Sequence, residues 1–287
     1  MDFGRLVTAM VTPFDASGAI DWTATGQLID YLIDDQKSDS IVVSGTTGES
    51  PTLTDEEKKS LFTFAVEHAK GRCKIIAGTG SNDTNHSIHL TQAAERCGVD
   101  AILLVVPYYN KPTQEGIYQH FKAISESTQL PIILYNVPSR TVASMTAATT
   151  LRLAELPNIV ATKECASLEQ VTQIIAGSPE GFRLYSGDDS VTLPVLAVGG
   201  YGIVSVASHV VGAEMKQMIE AYLTGNVGEA AKLHVQLYPI FKELFELPNP
   251  VLVKAALGIR NVPVGSVRLP LVAATETEMT ALREILS

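Results

Sequence analysis

The chain has 287 residues, of which 46% are hydrophobic and 18% charged, a balance that fills a sizeable core and excludes an intrinsically disordered protein. Acidic residues outnumber basic ones by 31 to 21, for a net charge of −10, and no lysine/arginine block is present, which argues against a nucleic-acid partner. No apolar run reaches the length of a membrane span, and Met1-Asp2-Phe3-Gly4-Arg5 carries no basic stretch ahead of a long apolar one, so the expectation is a cytoplasmic protein with no membrane partner.

Short, apolar, β-rich runs lie at residues 6–11, 40–44, 74–77, 101–105, 132–135, 159–163, 182–186 and 202–206, separated by stretches of helical period. They are continuously apolar rather than alternating, as strands of a parallel sheet covered by helices on both faces must be. About eight such runs predict an α/β fold, a (β/α)8 TIM barrel. An open, doubly wound sheet is the alternative.

Helix starts are legible between the runs. Asp21 caps a helix ending near residue 35, and Thr54-Asp55-Glu56-Glu57 forms a capping box for a helix running to about residue 69, where Gly71 stops it. Thr113 opens another toward residue 127, and Pro131 closes the connection into the next strand. Helical patterns follow the last strand at 214–224, 227–247, 250–259 and 275–286. Residues 1–224 are therefore read as the barrel and 225–287 as a C-terminal helical appendage packed on it, because no Gly/Ser/Pro-rich linker separates the two.

Cys73, Cys97 and Cys165 share no metal-type spacing, and reduced thiols are expected. His86 and His89 stand three apart on a helical stretch but lack an evident third ligand, so neither a metal nor a cofactor is expected. The loop at 45–50 lacks the Walker spacing, and no glycine cluster makes a dinucleotide fingerprint.

In a parallel barrel the strand C-termini and the loops after them open onto one face, so residues distant in sequence converge there. Those positions hold Gly45-Thr46-Thr47-Gly48-Glu49-Ser50, Pro107-Tyr108-Tyr109-Asn110, Tyr135 through Arg140, Lys163-Glu164 and Ser186-Gly187-Asp188-Asp189. Lys163 closes one strand and Tyr135 the strand before it, which makes them neighbours at the mouth. A lysine in apolar surroundings loses its proton and attacks carbonyls, whereas at a solvated strand end it forms an ordinary salt bridge. Which of the two holds depends partly on whether Glu164 shares its face. Tyr135 is a proton carrier or a core aromatic, and Arg140 a carboxylate clamp or a surface ion pair. The loop hydroxyls and amides at 45–50 suit a small carboxylate or phosphate. Asp188 and Asp189 remain without a role: they could bind a cation, act as acid and base, or cap the following helix.

Ordered motifs span essentially the whole chain: TAMVTPF from Thr8 to Phe14, SGTTGES from Ser44 to Ser50, PYYNKP from Pro107 to Pro112, LYNVPSR from Leu134 to Arg140, TKE from Thr162 to Glu164, SGDD from Ser186 to Asp189 and GIVSV from Gly202 to Val206. On these the chain resembles the dihydrodipicolinate synthase and N-acetylneuraminate lyase family of pyruvate-dependent class I aldolases. The resemblance implies that Lys163 forms a Schiff base with pyruvate and that Tyr135, Thr46 and Tyr109 form a proton relay, with Tyr109 reaching into a neighbouring subunit. It further implies that Thr47 helps hold the pyruvate carboxylate, that Arg140 holds the carboxylate of L-aspartate 4-semialdehyde, and that the backbone at Gly187 and Val204 lines the pocket. The implied product is 4-hydroxy-tetrahydrodipicolinate, in the diaminopimelate branch of lysine biosynthesis. The implied assembly is a homo-oligomer, a dimer or a dimer of dimers.

The chain departs from the family pattern of lysine-inhibited members, which carry histidines after the GTTGES loop and a glutamate beyond the following asparagine. Asp55, Lys58 and His86 occupy those places, while Asn82 and Tyr108 are retained, so weak or absent lysine feedback is expected. Two other readings compete with the synthase: a pyruvate-dependent lyase for sugar or sialic acids, and a barrel that binds ligands without catalysis. Arg140 and the Tyr108-Tyr109 pair favour the small amino aldehyde over a sugar acid, and the joint presence of Lys163 and Tyr135 speaks against a non-catalytic barrel.

Overall fold

The computed structural model describes residues 2–286. Its strands are β1 (Leu6–Ala9), β2 (Ser40–Val43), β3 (Lys74–Gly78), β4 (Ala101–Val105), β5 (Ile132–Asn136), β6 (Ile159–Glu164), β7 (Arg183–Ser186) and β8 (Gly202–Ser205). They pair in parallel in sequence order, and β8 closes onto β1. The chain is thus a TIM barrel and not an open sheet.

The period of two along each strand splits the core into two layers. Val7, Val42, Ile76, Leu103, Ile133, Tyr135, Ala161, Tyr185 and Val204 fill the barrel interior. Their strand neighbours, such as Leu6, Ile41, Ile75, Ile102, Ile132 and Ile203, join an outer layer against the helices. Both faces are buried, which explains why the strands are apolar throughout.

The helices are α1 (Trp22–Asp34), α2 (Asp55–Ala69), α3 (Thr84–Arg96), α4 (Gln114–Ser125), α5 (Pro138–Thr141), α6 (Ala147–Ala154), α7 (Leu168–Gly177), α8 (Thr192–Ala197), α9 (Ser208–Leu223), α10 (Val227–Glu243), α11 (Val251–Ile259) and α12 (Glu276–Leu286). Asp21, Thr54, Asp83, Thr113, Thr146 and Ser167 accept backbone N–H groups at the starts of α1, α2, α3, α4, α6 and α7, and Thr54 with Glu57 completes the reciprocal capping box.

α9 begins at Ser208, ahead of the expected start at residue 214, and has a non-helical break at Val211. Its N-cap residue, Ala207, supplies no cap; the Ser208 N–H donates instead to Ser205 Oγ at 2.9 Å, and further contacts steady the turn. The His209 ring is bonded on both nitrogens, to the Val206 carbonyl at 2.8 Å and the Val11 N–H at 3.2 Å, and Gly212 N–H donates to Gln36 Oε1 at 2.6 Å. Beyond α9, Leu233, Leu237 and Phe241 of α10, Leu252 and Leu257 of α11 and Leu282 of α12 join the same apolar cluster as Leu28, Leu61 and Leu90 of the barrel helices.

Candidate active site

β5 and β6 pair with Tyr135 opposite Lys163 and Asn136 opposite Glu164. Tyr135 and Lys163 face the mouth of the barrel, 6% and 5% exposed, and Lys163 Nζ lies 4.3 Å from the Tyr135 ring centroid. Burial holds the Lys163 ammonium below the ordinary lysine range. Cys165 and Asp189 push the other way, while the Arg140 cation adds to the depression. Burial drives the Tyr135 phenol well above its usual value, against a smaller opposing pull from hydrogen bonding with Thr46. The site therefore eases loss of the ammonium proton beside a phenol that keeps its own, the pairing that suits nucleophilic attack followed by proton transfer.

Glu164 does not share that face. It points out of the barrel, where Oε1 accepts from Asn136 Nδ2 and the Ala166 N–H, both at 2.9 Å, and Oε2 accepts from Gln170 Nε2 at 3.2 Å. Burial raises its carboxyl to about 7 despite these donors. The Asn136 amide also bonds both backbone groups of Met145, so the outer faces of β5 and β6 are locked in register directly behind the lysine and the tyrosine.

A cavity of about 230 Å³ opens over Lys163, lined by Thr46, Thr47, Tyr135, Arg140, Cys165 and Gly187, together with Phe241, Lys242, Phe245 and Asn249 from α10 and the segment after it. A second, of about 490 Å³, shares Thr46, Tyr135 and Arg140 and extends past Ser50, Lys58, Asn82, His86 and Tyr108. The structure thus brings Lys163, Tyr135, Thr46, Thr47, Arg140 and Gly187 together. The Val204 side chain packs in the barrel interior, and Val206, two residues on, lines the cavity. Tyr109 is 87% exposed in a left-handed conformation (φ 73°) and lines neither cavity of its own chain.

The Thr46–Thr47 loop is fixed from several sides. Thr12 Oγ1 donates to the Gly48 carbonyl at 2.7 Å, and Asn249 Nδ2 donates to Thr47 Oγ1 at 2.9 Å. Asn249 belongs to none of the motifs; its one signal in the sequence is the break Pro248-Asn249-Pro250. Cys165 was likewise unassigned, and burial lifts its thiol to about 12. Gly187 is compelled by space, because a Cβ there would meet Cys165 Sγ at 2.3 Å and Lys163 Cε at 3.0 Å.

The acidic pair divides its work. Asp188 accepts from the Ser190 N–H at the start of a single 3-10 turn, Asp189–Val191. Asp189 is buried and accepts from Ser205 Oγ at 2.5 Å and from the N–H groups of Val206 and Ala207 at 3.2 and 3.0 Å, shaping the end of β8. His86 pairs with Asp55 at 3.0 Å.

Comparison with known proteins agrees with this geometry. The model of the dihydrodipicolinate synthetase family matches residues 2–287. The chain is 57% identical over 289 residues to a 4-hydroxy-tetrahydrodipicolinate synthase of Bacillus subtilis, covering 100% of this chain and 99% of that protein. The crystal structure of a dihydrodipicolinate synthase from Bacillus anthracis superposes with a TM-score of 0.98 at 52% identity, over 100% of this chain and 98% of the other. A lysine-bound homologue from Cyanidioschyzon merolae superposes at 0.97 with 46% identity, over 99% and 97%. With a family model matched along its length and relatives of this identity covered end to end, the chain belongs to the dihydrodipicolinate synthetase family.

Proposed function

We propose that the protein condenses pyruvate with L-aspartate 4-semialdehyde through a Schiff base on Lys163 and releases 4-hydroxy-tetrahydrodipicolinate, a step of diaminopimelate and lysine biosynthesis. The observation that carries this reading is the enclosed, charge-disfavoured Lys163 amine against Tyr135, in a cavity edged by Thr46, Thr47 and Arg140. Neutral Nζ adds to C2 of pyruvate, water leaves, and loss of a C3 proton gives the enamine. C3 then bonds to the aldehyde carbon of the second substrate, whose oxygen takes up a proton. Finally the amino group of that substrate attacks C2 and expels Lys163 as the ring closes.

Each stage moves protons, and Tyr135 with Thr46 carries them. Thr47 holds the pyruvate carboxylate, Arg140 that of the semialdehyde, and the backbone at Gly187 and Val204 borders the substrates. Tyr109, exposed and held at positive φ, completes the relay in the site of a second subunit, which makes a homodimer the smallest active unit and a dimer of dimers the expected assembly. Residues 1–224 act as the catalytic barrel and 225–287 as the helical region that walls the cavity, in a cytoplasmic enzyme.

Borohydride reduction with pyruvate, followed by peptide mass spectrometry, tests the reading. The expected result is a single reduced pyruvyl adduct on Lys163. A folded protein without it is not a Schiff-base aldolase, and faster turnover of a sugar acid than of the semialdehyde would reassign the second substrate.

A further inference from the structure

Glu49 ends the Thr46–Thr47 loop in a left-handed conformation (φ 56°), and its N–H donates to the Thr46 carbonyl at 3.1 Å. It lines neither cavity. Its Oε1 lies 2.7 Å from Nζ of Lys254 in α11, with the two side chains 1% and 2% exposed, and its Oε2 accepts the Arg268 N–H at 2.8 Å. Lys254 Nζ also donates to the Ser266 carbonyl at 2.8 Å. The Arg268 guanidinium donates to the carbonyls of Gly18 and Thr52, both at 2.8 Å, and pairs with Glu57. Both cations lie over the Phe14 ring, each 4.2 Å from its centroid.

An ion pair this enclosed is a weak source of stability, because stripping water from both charges offsets their attraction and an apolar pair of similar volume does as well. What the charges add is direction. A buried ion pair on one carboxylate oxygen and a backbone N–H on the other hold Glu49 in one orientation, and Glu49 stands two residues from Thr47. With Asn249 on Thr47 itself, the C-terminal segment grips the loop from two sides.

Resting on the Schiff-base reading above, we infer that the Glu49–Lys254 ion pair is a positioning device that sets the Thr46–Thr47 loop to receive the keto-acid carboxylate, so that the C-terminal helices tune the capture of that substrate. The pair touches no reacting atom. Its effect falls on the pyruvate concentration needed for capture more than on turnover at saturation.

The test uses the full-length protein with Lys254→Met, Glu49→Gln and the double variant. It reads thermal midpoint, the pyruvate concentration for half-maximal borohydride trapping on Lys163, and deuterium uptake at residues 45–53. Each single variant leaves a buried group without its partner and loses stability; the double regains most of it. The double nevertheless needs roughly tenfold more pyruvate, a modest share of what an ångström-scale misplacement costs, and its loop exchanges faster. A double variant that recovers both stability and the wild-type pyruvate dependence overturns the inference, as does one that fails to fold, since the pair would then be structural only. Wild-type protein that traps no adduct overturns the Schiff-base reading and with it the substrate named here. In that event loop exchange still reports the grip, and unchanged exchange in the double variant removes that as well.

Discussion

Lys163 and Tyr135 occupy paired positions on neighbouring strands, with the lysine nitrogen 4.3 Å from the centre of the phenol ring. The ring face attracts a cation while enclosure disfavours one, so the ring steadies the amine and the hydroxyl is free to move protons. Tyr135→Phe keeps the ring and should lower kcat by about 10²- to 10⁴-fold, the range for a lost acid–base group, while Lys163 is still trapped by borohydride, only more slowly. Lys163→Ala should abolish trapping. Steady-state rates alongside adduct mass measure both.

The lowered pKa of Lys163 sets the acidic limb of the pH profile. kcat/KM for pyruvate should rise with pH as the free amine appears, with a midpoint below the ordinary lysine value. Arg140 contributes to that depression, so Arg140→Gln should move the limb to higher pH as well as raise KM for the semialdehyde. A limb that stays in place would show that burial alone sets the amine.

Gly187→Ala tests the space over the lysine. The added methyl collides with Cys165 Sγ and crowds Lys163 Cε, so activity should fall roughly a hundredfold, as for an ångström-scale misplacement. Adding Cys165→Ala removes the closer clash and should restore part of the loss. A double-mutant cycle on kcat reads the coupling.

Buried groups of two kinds give stability opposite pH slopes. Burial lowers His209 from 6.5 to about 4, so the unfolded chain protonates first. Its contribution is complete above the unfolded value and is lost as pH falls toward 4, on the order of 3 kcal/mol across the window. His120, also lowered to about 4, acts in the same sense. Glu164, raised from 4.5 to about 7, has a contribution complete below 4.5 that fades as pH rises through 7. Urea midpoints between pH 4.5 and 7.5 should therefore rise less steeply with pH in His209→Gln and more steeply in Glu164→Gln than in the wild type.

Lysine at millimolar concentration should leave turnover essentially unchanged. The larger cavity presents Lys58, which is 7% exposed, and His86, whose ring already engages Asp55. A second ammonium entering there meets a resident cation, and the carboxylate that lines the same cavity, Asp55, is already engaged by His86. An initial-rate titration with lysine measures this, and strong inhibition would show that Asn82 and Tyr108 suffice.

The barrel was legible because its strands are apolar on both faces and recur with helices between them, and the mouth was legible because strand ends in such a barrel converge. Glu164 is the point the sequence leaves open: with Lys163 facing inward in the structure, the next residue of β6 faces out. Other features take the structure to place. Asn249 on Thr47 and Lys254 on Glu49 are contacts between distant segments, which no local pattern encodes. The start of α9 is held by Ser205 and Asp189, with further contacts to Val11 and Gln36, in place of a cap from its own N-cap residue. Tyr109 was singled out by its motif alone, and within one chain it stands in solvent.

The alternation along β6 has an evolutionary corollary. Lys163 answers to chemistry, and Glu164, its immediate neighbour, to the scaffold that holds two strands together. Adjacent codons are thus under different selective demands. Inward positions around the lysine can be varied while the outward bonds are kept, which makes the outer network the sounder place to anchor a redesigned mouth.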